Sequence, residues 1–484
     1  MELLSALPGA DLGLVDADPE IRRVMADSRR VSPGDLFVAL RGEKADGFDY
    51  VPEALARGAA AVVARPSPRS PVSVPWIRTA EPRRALGLLA ARMEDNPAEK
   101  LVLAGVTGTN GKTTTAVLLQ SLLERRFGGA GFVGTIGYRI GRRELPADRT
   151  TPDAALLQGL LGQMVREGIP AAAMEVSSHA LALDRVEGCR FDLTVFTNLT
   201  RDHLDFHRDM ESYYGAKRRL FDRRKPGATA VLNVADPYGR RLAGEIGGRV
   251  TTYRAASEGA DLTAESVRCD LSGTSFDAVS AAGRFRVASP LLGRFNVDNL
   301  LAAGAGGLAL GMAPEEIAAG LAAVRRVPGR LEPVEAGQSY AILVDYAHTE
   351  DALQRLLAAV RELTDRKIIL VFGCGGDRDR GKRAPMGRIA GTLSDIPIAT
   401  SDNPRSEDPE AILSEVERGL AASSATKYLR IADRRQAIQA AIDLANPGTV
   451  VVIAGKGHET TQVIGTREEP FDDRAVAAEL ATRR

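Results

Sequence analysis

A three-domain α/β fold is predicted for this chain, with mostly parallel sheets in the second and third domains. Two observations carry the sheets. Apolar runs of strand length alternate with helix-period segments from residue 101 onward, and the same alternation resumes after residue 329. The third observation is length, since 484 residues at roughly 150 per domain give three.

In chain order, residues 1 to about 90 hold short apolar runs, 35–40 and 60–64, between Gly and Pro turns, which is a small α/β pattern. The charged, Pro-containing stretch 92–97 reads as a linker. Segment 101–106 then reads as a buried strand and 115–124 as a helix, with further strands at 171–176, 193–197 and 229–233. Segment 263–287 departs from this, alternating with period two around a Ser-Gly-Thr turn, and is expected to form a local antiparallel hairpin. Around Val327-Pro328-Gly329 a second linker is expected. Beyond it, 341–345, 367–372, 396–400 and 449–454 each end in Gly or polar residues, predicting a doubly wound, Rossmann-like sheet with its ligand site at the carboxyl ends of the strands.

Lys plus Arg and Asp plus Glu both number 63, so there is no global basic field for nucleic acid or an anionic membrane. Anionic ligands must be met by local clusters. Cys189, Cys269 and Cys374 are widely spaced, without a metal-ligand or disulfide pattern, and are expected to be free thiols in a reducing compartment. The opening segment lacks a basic region followed by a long apolar core, and no apolar run approaches the ~20 residues of a membrane span. A cytoplasmic protein is expected.

The run Gly108-Thr109-Asn110-Gly111-Lys112-Thr113-Thr114 lies between a strand candidate and a helix candidate. A glycine-rich turn there aims backbone N–H groups and the positive helix terminus at an anion. Lys112 adds a mobile charge for β- and γ-phosphates, and the Thr113 hydroxyl can hold Mg²⁺. The common phosphate-loop pattern places a glycine five residues before Gly111, where this chain has Val106; Gly105 is one residue too early. Binding of a nucleoside triphosphate is predicted.

Glu175, in Met174-Glu175-Val176-Ser177-Ser178-His179, ends a strand candidate. There it either completes a Mg²⁺ shell begun by Thr113 or stabilises a helix N-terminus. Two of the chain's five histidines, His203 and His207, sit with three charged residues in Asn198 to His207, which raises the functional weight of that segment. On its residues alone, Lys217 in Ala216-Lys217-Arg218-Arg219 reads as an ordinary basic helix turn. In the last third, Gly373 to Arg380, Asp402-Asn403-Pro404-Arg405 and Gly455-Lys456-Gly457-His458-Glu459 end three successive strand candidates. Together they present acids and bases to one crevice. An arginine fork binds a carboxylate and Asp, Asn and Glu accept from an ammonium, so the crevice suits a zwitterionic amino acid.

Taken together these motifs resemble the Mur ligases, ATP-dependent amide-forming enzymes of peptidoglycan precursor synthesis. The resemblance runs from Asp27-Ser28-Arg29 and Pro33 to Ala39 through Thr150-Thr151-Pro152, Gly293 to Val297, Gly329 to Glu332 and Asp345-Tyr346-Ala347-His348 to the Gly-Lys-Gly-His-Glu string. It implies a UDP-sugar-binding domain at 1–92, a central ATP-binding domain at 93–327 and an amino-acid-binding domain at 328–484. It further implies that ATP is met by Gly108, Thr109, Asn110, Gly111, Lys112, Thr113, Thr114, Asn296, Arg330 and Asp345. Ser28, Thr150, Thr151, Ser177 and Arg185 would meet UDP-N-acetylmuramoyl-L-alanyl-D-glutamate. By the same resemblance Thr113, Glu175 and His203 would hold Mg²⁺, helped by Lys217 as an N-carboxylated, anionic side chain, and Lys112, Glu175, His203 and Lys217 would be the catalytic set. Arg378, Asp402, Asn403, Arg405, Gly455 and Glu459 would bind meso-2,6-diaminopimelate, Arg405 pairing with the carboxylate that lysine lacks.

The implied reaction phosphorylates the D-glutamyl side-chain carboxylate and lets the amine of diaminopimelate displace phosphate, in a cytoplasmic monomer. Rival readings are the lysine-adding ligase of the same family, folylpolyglutamate synthetase, the next ligase of the pathway, and a P-loop ATPase without ligase activity. Departures from the family pattern are Phe48 in place of a histidine, Leu183 at a position polar in some members, Glu350 in place of a proline, and altered flanks at 470–475.

Overall fold

The computed structural model of the protein describes residues 2–7, 11–12, 18–42, 45–66, 74–256, 258–425 and 427–483. It divides into two compact units. One comprises residues 1–263, 279–283 and 299–320, the other 264–278, 284–298 and 321–484.

The first unit begins with a small sheet in which Arg23–Met25, Asp35–Val38, Ala61–Ala64 and Trp76–Arg78 run parallel in that order. Helix Pro82–Met93 packs one face of this sheet through Leu86 and Leu89. The same helix meets Ala154–Arg166 of the larger sheet's helical layer. Arg84 and Arg223 both pair with the nearly buried Glu187, at 3.3 and 2.5 Å, which ties the small sheet to the larger one. The stretch expected as a linker, 92–97, is instead mostly structured. Arg92 and Met93 finish the helix, Asp95 and Asn96 turn the chain with positive φ, and Pro97 opens a short helix, Pro97–Lys100. Pro suits that first helical position because its missing N–H has no partner to lose there.

The larger sheet runs parallel through Arg249–Arg254, Arg224–Asn233, Phe191–Phe196, Val102–Thr107, Ala171–Glu175 and Ala130–Gly134. Gly137–Ile140 and Arg143–Leu145 extend it antiparallel. Val102–Thr107 is central, with neighbours reached by the chain in opposite directions, so a crevice opens where its carboxyl end meets Glu175 on one side and Thr197 on the other. Its core is dominated by Leu103, Val133, Leu157, Leu161, Met174, Phe191 and Phe196, all buried. The helix after the glycine turn is longer than expected, Lys112–Phe127. Segment 263–287 is not one hairpin. Strands Leu262–Asp270, Gly273–Ser280 and Gly283–Ser289 follow one another with two-residue connections, a meander. The second turn, at Ala281-Ala282, lacks the Gly or Asn that would have marked it in the sequence.

In the second unit Ala341–Asp345, Thr449–Ala454, Lys367–Cys374, Ile396–Ser401 and Leu429–Arg430 form a parallel sheet in that order. The four strands expected here are present, and the continuous Val/Ile/Leu runs reflect burial on both faces, by Leu353, Leu357, Ile412 and Val416 on one side and Ile438, Ile442 and Ala477 on the other. A separate hairpin, Thr461–Ile464 with Arg467–Pro470, follows the last central strand. Among the described residues no helix is long and apolar enough to cross a membrane.

Candidate active site

Two clusters of predicted site residues form, one in each unit. In the first, Gly108 leaves the central strand with φ +150°, where a side chain would run into Thr197 Oγ1. The turn is then pinned from the neighbouring strand end. Thr109 N donates to Asn198 O at 2.8 Å, Asn110 N to Asn198 Oδ1 at 2.9 Å, and Thr197 Oγ1 to Asn110 O at 2.6 Å. Lys112 Nζ donates to Gly108 O and Thr109 O at 3.0 and 2.8 Å, folding back over the turn. Thr114, the third residue of the helix, is buried.

Lys217 is the main correction. Rather than an ordinary basic turn on a helix surface, its side chain is 1% exposed and donates Nζ to the same Gly108 carbonyl at 2.7 Å, above the Tyr213 ring. Burial, with Lys112 nearby and Asp202 opposing, holds its pKa well below that of an ordinary lysine. A buried ammonium without a carboxylate partner is expensive, so the neutral amine is favoured.

Glu175 is fully buried. Its Oε2 accepts from Thr113 Oγ1 at 3.0 Å and from Thr135 Oγ1 at 3.2 Å, and its Oε1 from Thr135 N at 2.7 Å. These bonds aim the carboxylate at the glycine turn, while the helix Ser178–Ala182 is capped by Ser177. Thr135 continues to Thr150 at 3.0 Å, and Thr151 Oγ1 reaches Glu175 O at 2.9 Å, while Ser177 N donates to Thr151 Oγ1 at 3.1 Å. Arg185 Nη1 donates to Thr151 O at 3.1 Å, and burial lowers its pKa. Thr150, Thr151, Ser177 and Arg185 therefore form one run away from the turn. Thr135 links it to Thr113, a link the sequence did not disclose because a lone Thr has no signature.

His203 sits at φ +53° beside Asp202, 3.5 Å from its carboxylate, and its ring meets His179 edge-on at 4.8 Å. Burial lowers the pKa of both. His207, buried, bonds Ser178 Oγ through Nε2 at 2.9 Å. It therefore packs beneath the cluster. Ser28 stays in the small N-terminal sheet region, donating to Glu53 Oε2 at 2.7 Å, and Phe48 packs edge-on against Trp76.

In the second unit, Asp345 ends its strand and accepts from Leu331 N and Ala347 N, both at 2.8 Å. Desolvation raises its pKa against the pull of Arg330. The Arg330 guanidinium lies 5.5 Å over the Tyr346 ring, which is flanked by His348 at 4.6 Å and His458 at 5.0 Å. This aromatic shelf can stack a planar ring. Asn296 is buried on the helix Phe295–Ala309, with Nδ2 donating to Leu292 O at 2.7 Å.

Further along the same sheet edge, Asn403 Nδ2 donates to Glu459 Oε2 at 2.9 Å, and Lys456 Nζ donates to Asn403 Oδ1 at 3.2 Å and to Glu459 Oε2 at 3.1 Å. Lys456, read in the sequence only within its strand-end string and given no role of its own, is fully buried. Asp402 is buried with Oδ2 where a Cβ on Gly455, φ +118°, would come within 2.8 Å, so only glycine fits there. Arg405 Nη1 donates to Gly376 O at 2.7 Å, and Arg378 stands exposed on the loop beyond. Beneath them Arg434, fully buried, forks onto Asp473 at 2.7 Å and donates to Ala454 O and Ser401 O, tying two strand ends together. This edge holds fixed cations and anions within one network, as a zwitterion requires.

Among the described residues no group of three or more His, Cys, Asp or Glu side chains is placed so that it could hold a metal ion by itself.

Comparison with known proteins accords with this geometry. The Mur ligase family catalytic domain matches residues 20–93, the Mur ligase middle domain 106–306, and the Mur ligase glutamate ligase domain 329–457. A UDP-N-acetylmuramoyl-L-alanyl-D-glutamate–2,6-diaminopimelate ligase of Geobacter metallireducens is 46% identical over 95% of this chain and 94% of its own. The ligase of the same name from Gloeobacter violaceus is 48% identical over 96% and 95%. A solved structure of a ligase of that name superposes with a TM-score of 0.73 at 33% identity, over 99% of this chain and 98% of the other. MurF ligase of Thermotoga maritima in complex with ADP shares the fold alone, at 21% identity and TM-score 0.63 over 96% and 97%. With three family matches in sequence along one chain and relatives almost half identical from end to end, the chain belongs to the Mur ligase family.

Proposed function

We propose that the chain is the ATP-dependent ligase that joins meso-2,6-diaminopimelate to UDP-N-acetylmuramoyl-L-alanyl-D-glutamate in peptidoglycan synthesis. It would act as a cytoplasmic monomer, with residues 1–92 taking the UDP-sugar, 93–327 ATP and 328–484 the amino acid. The observation that carries the reading is that the Asn403–Glu459 pair and Arg405, held on Gly376 O, share one sheet edge in a chain that also holds a lysine-bearing glycine turn. Arg405 can pair there with a second carboxylate on the incoming amino acid, which diaminopimelate has and lysine lacks.

In this reading the turn Gly108–Thr114 cradles the phosphates. Lys112, now folded onto Gly108 O and Thr109 O, follows the charge on the γ-phosphoryl as it leaves the β-phosphate oxygen and joins the D-glutamyl carboxylate. Thr150, Thr151, Ser177 and Arg185 hold the muramoyl-dipeptide. Arg330 and Asp345 meet the nucleotide, whose base the Tyr346 shelf can stack. The free amine of diaminopimelate, once deprotonated, attacks the acylphosphate carbonyl, the carbon–oxygen bond to phosphate breaks, and amide and phosphate are the products.

A Mg²⁺ ion fits the residues present on one condition. Thr113 Oγ1 and Glu175 are hard oxygen donors 3.0 Å apart, with His203 beyond. Lys112 and Lys217 as two ammonium groups would outweigh the one carboxylate. The neutral amine, towards which burial shifts Lys217, is the form that adds CO₂; release of one N–H proton to solvent would then leave an anionic carbamate. When bound, Mg²⁺ would neutralise phosphate charge.

The test is phosphate release with ATP, Mg²⁺ and the UDP-muramoyl-dipeptide, comparing meso-diaminopimelate with L-lysine and weighing the product. Turnover with diaminopimelate and the tripeptide mass is expected. Turnover with lysine alone would overturn the acceptor, and release without either amino acid would favour a plain ATPase.

A further inference from the structure

The hairpin Thr461–Ile464/Arg467–Pro470 bears no residue that the chemistry above uses, yet it bonds along the whole Asp402-Asn403-Pro404-Arg405 segment. Gln462 Nε2 donates to Asp402 O at 2.7 Å and Val463 N to Asn403 Oδ1 at 2.9 Å. Arg405 N donates to Val463 O at 3.0 Å and Gly465 N to Arg405 O at 2.7 Å, a parallel bridge between Arg405 and Ile464. We infer that this hairpin sets the amino-acid selectivity of the crevice, with Gln462 as the positioning residue. The inference rests on the diaminopimelate reading.

Three facts support it. Arg405 sits at φ +53°, a left-handed conformation that a non-glycine residue adopts only when its surroundings impose it. The two backbone bonds to Val463 and Gly465 are that imposition. Secondly, Gln462 is 8% exposed and Asp402 and Asn403 are 6% exposed, so water cannot readily replace the amide on the Asp402 carbonyl. Thirdly, Asn403 Oδ1 accepts from both Val463 N and Lys456 Nζ, which fixes the amide so that its Nδ2 faces Glu459. Loss of the Gln462 donor therefore shifts Asp402, Asn403 and Arg405 together. Recognition of a carboxylate by an arginine fork depends on angle as well as distance, so a small shift weakens amino-acid binding and leaves the phosphate turn untouched.

The experiment is steady-state kinetics of the full chain carrying Gln462→Met, with Gln462→Glu as a second variant of equal length that also lacks the donor. The expected result is a rise of about tenfold in KM for diaminopimelate, with kcat and KM for ATP within about twofold of the parent. Glu468→Gln, on the far strand of the hairpin, where the exposed side chain accepts from the Thr461 hydroxyl, is expected to change none of these. Mere loosening of the structure would lower the active fraction and hence kcat, leaving KM in place. An unchanged KM for diaminopimelate in a folded variant, or an equal rise in KM for ATP, would overturn the inference while the proposed reaction stands. Absence of turnover by the parent protein would overturn the reaction and the inference with it.

Discussion

At the edge following Val102–Thr107, the lysines lean on backbone: Lys112 and Lys217 both donate to the Gly108 carbonyl, and the turn itself is held by Thr197 and Asn198. At the edge of the second unit's sheet, the charged side chains lean on one another. Asn403, Lys456 and Glu459 close a three-way network, and Arg383 forks onto Glu407 and Glu415 beside it. A phosphate is the same in every nucleotide, so a rigid backbone cradle serves it. An amino acid must be told from its analogues, which requires side chains placed relative to each other. The lesson concerns coupling: a backbone-held group can be removed with little effect on its neighbours, whereas a group in a side-chain network takes its partners with it.

The largest effect is expected at the cradle. Lys112→Met should lower kcat for phosphate release on the order of a thousandfold, with little change in melting temperature, since its partners are carbonyls of an already pinned turn. Loss of the fold in that variant, seen by circular dichroism, would break the comparison. Next, Arg405→Ala should lower kcat/KM for diaminopimelate by about a hundredfold or more while KM for ATP is kept. Unchanged kcat/KM would refute the role given to Arg405.

Smaller, and aimed at the coupling itself, is a double-mutant cycle of Asn403→Ala and Lys456→Met read by calorimetric binding of diaminopimelate. The two should be non-additive by about 1 kcal/mol, within the range for residues in direct contact. Additive effects would show that the network is only a set of neighbours.

The last effect, absent near neutral pH, appears only on acidification. Burial, aided by His179, Lys217 and His203, lowers the His207 pKa from 6.5 to about 4. Between those values the unfolded chain holds a proton that the folded chain does not, so stability rises with pH across this window. The contribution is complete above 6.5 and lost as pH falls to about 4. His207→Gln should flatten the acid limb of denaturant-measured stability by up to about one proton. An unaltered limb would place the acid sensitivity elsewhere.

Much of the fold was legible from the order of residues. Every strand expected in the two parallel sheets is present, because strands buried on both faces read as continuous apolar runs that nothing else in the chain imitates. The glycine turn was legible despite Val106, since strand, turn and helix in succession already define an anion site. Less was legible where a side chain's meaning depends on depth. Lys217 has the neighbours of a surface lysine in sequence, Ala216 and Arg218, and only the packing of the helix Met210–Arg218 puts it under Gly108. The 92–97 stretch looked like a linker because charge and Pro usually mark one, but Pro97 here starts a helix.

By itself the sequence determined the three-part α/β organisation, the phosphate turn and the three charged strand ends, since these depend on local periodicity and on residue types adjacent in the chain. Tertiary structure alone decided that Glu175 faces Thr113, that burial lowers the Lys217 pKa, and that Gln462 bonds a segment 60 residues away from it. Each of these depends on exclusion of water or on contact across strands, and neither is written in the order of neighbours along a chain.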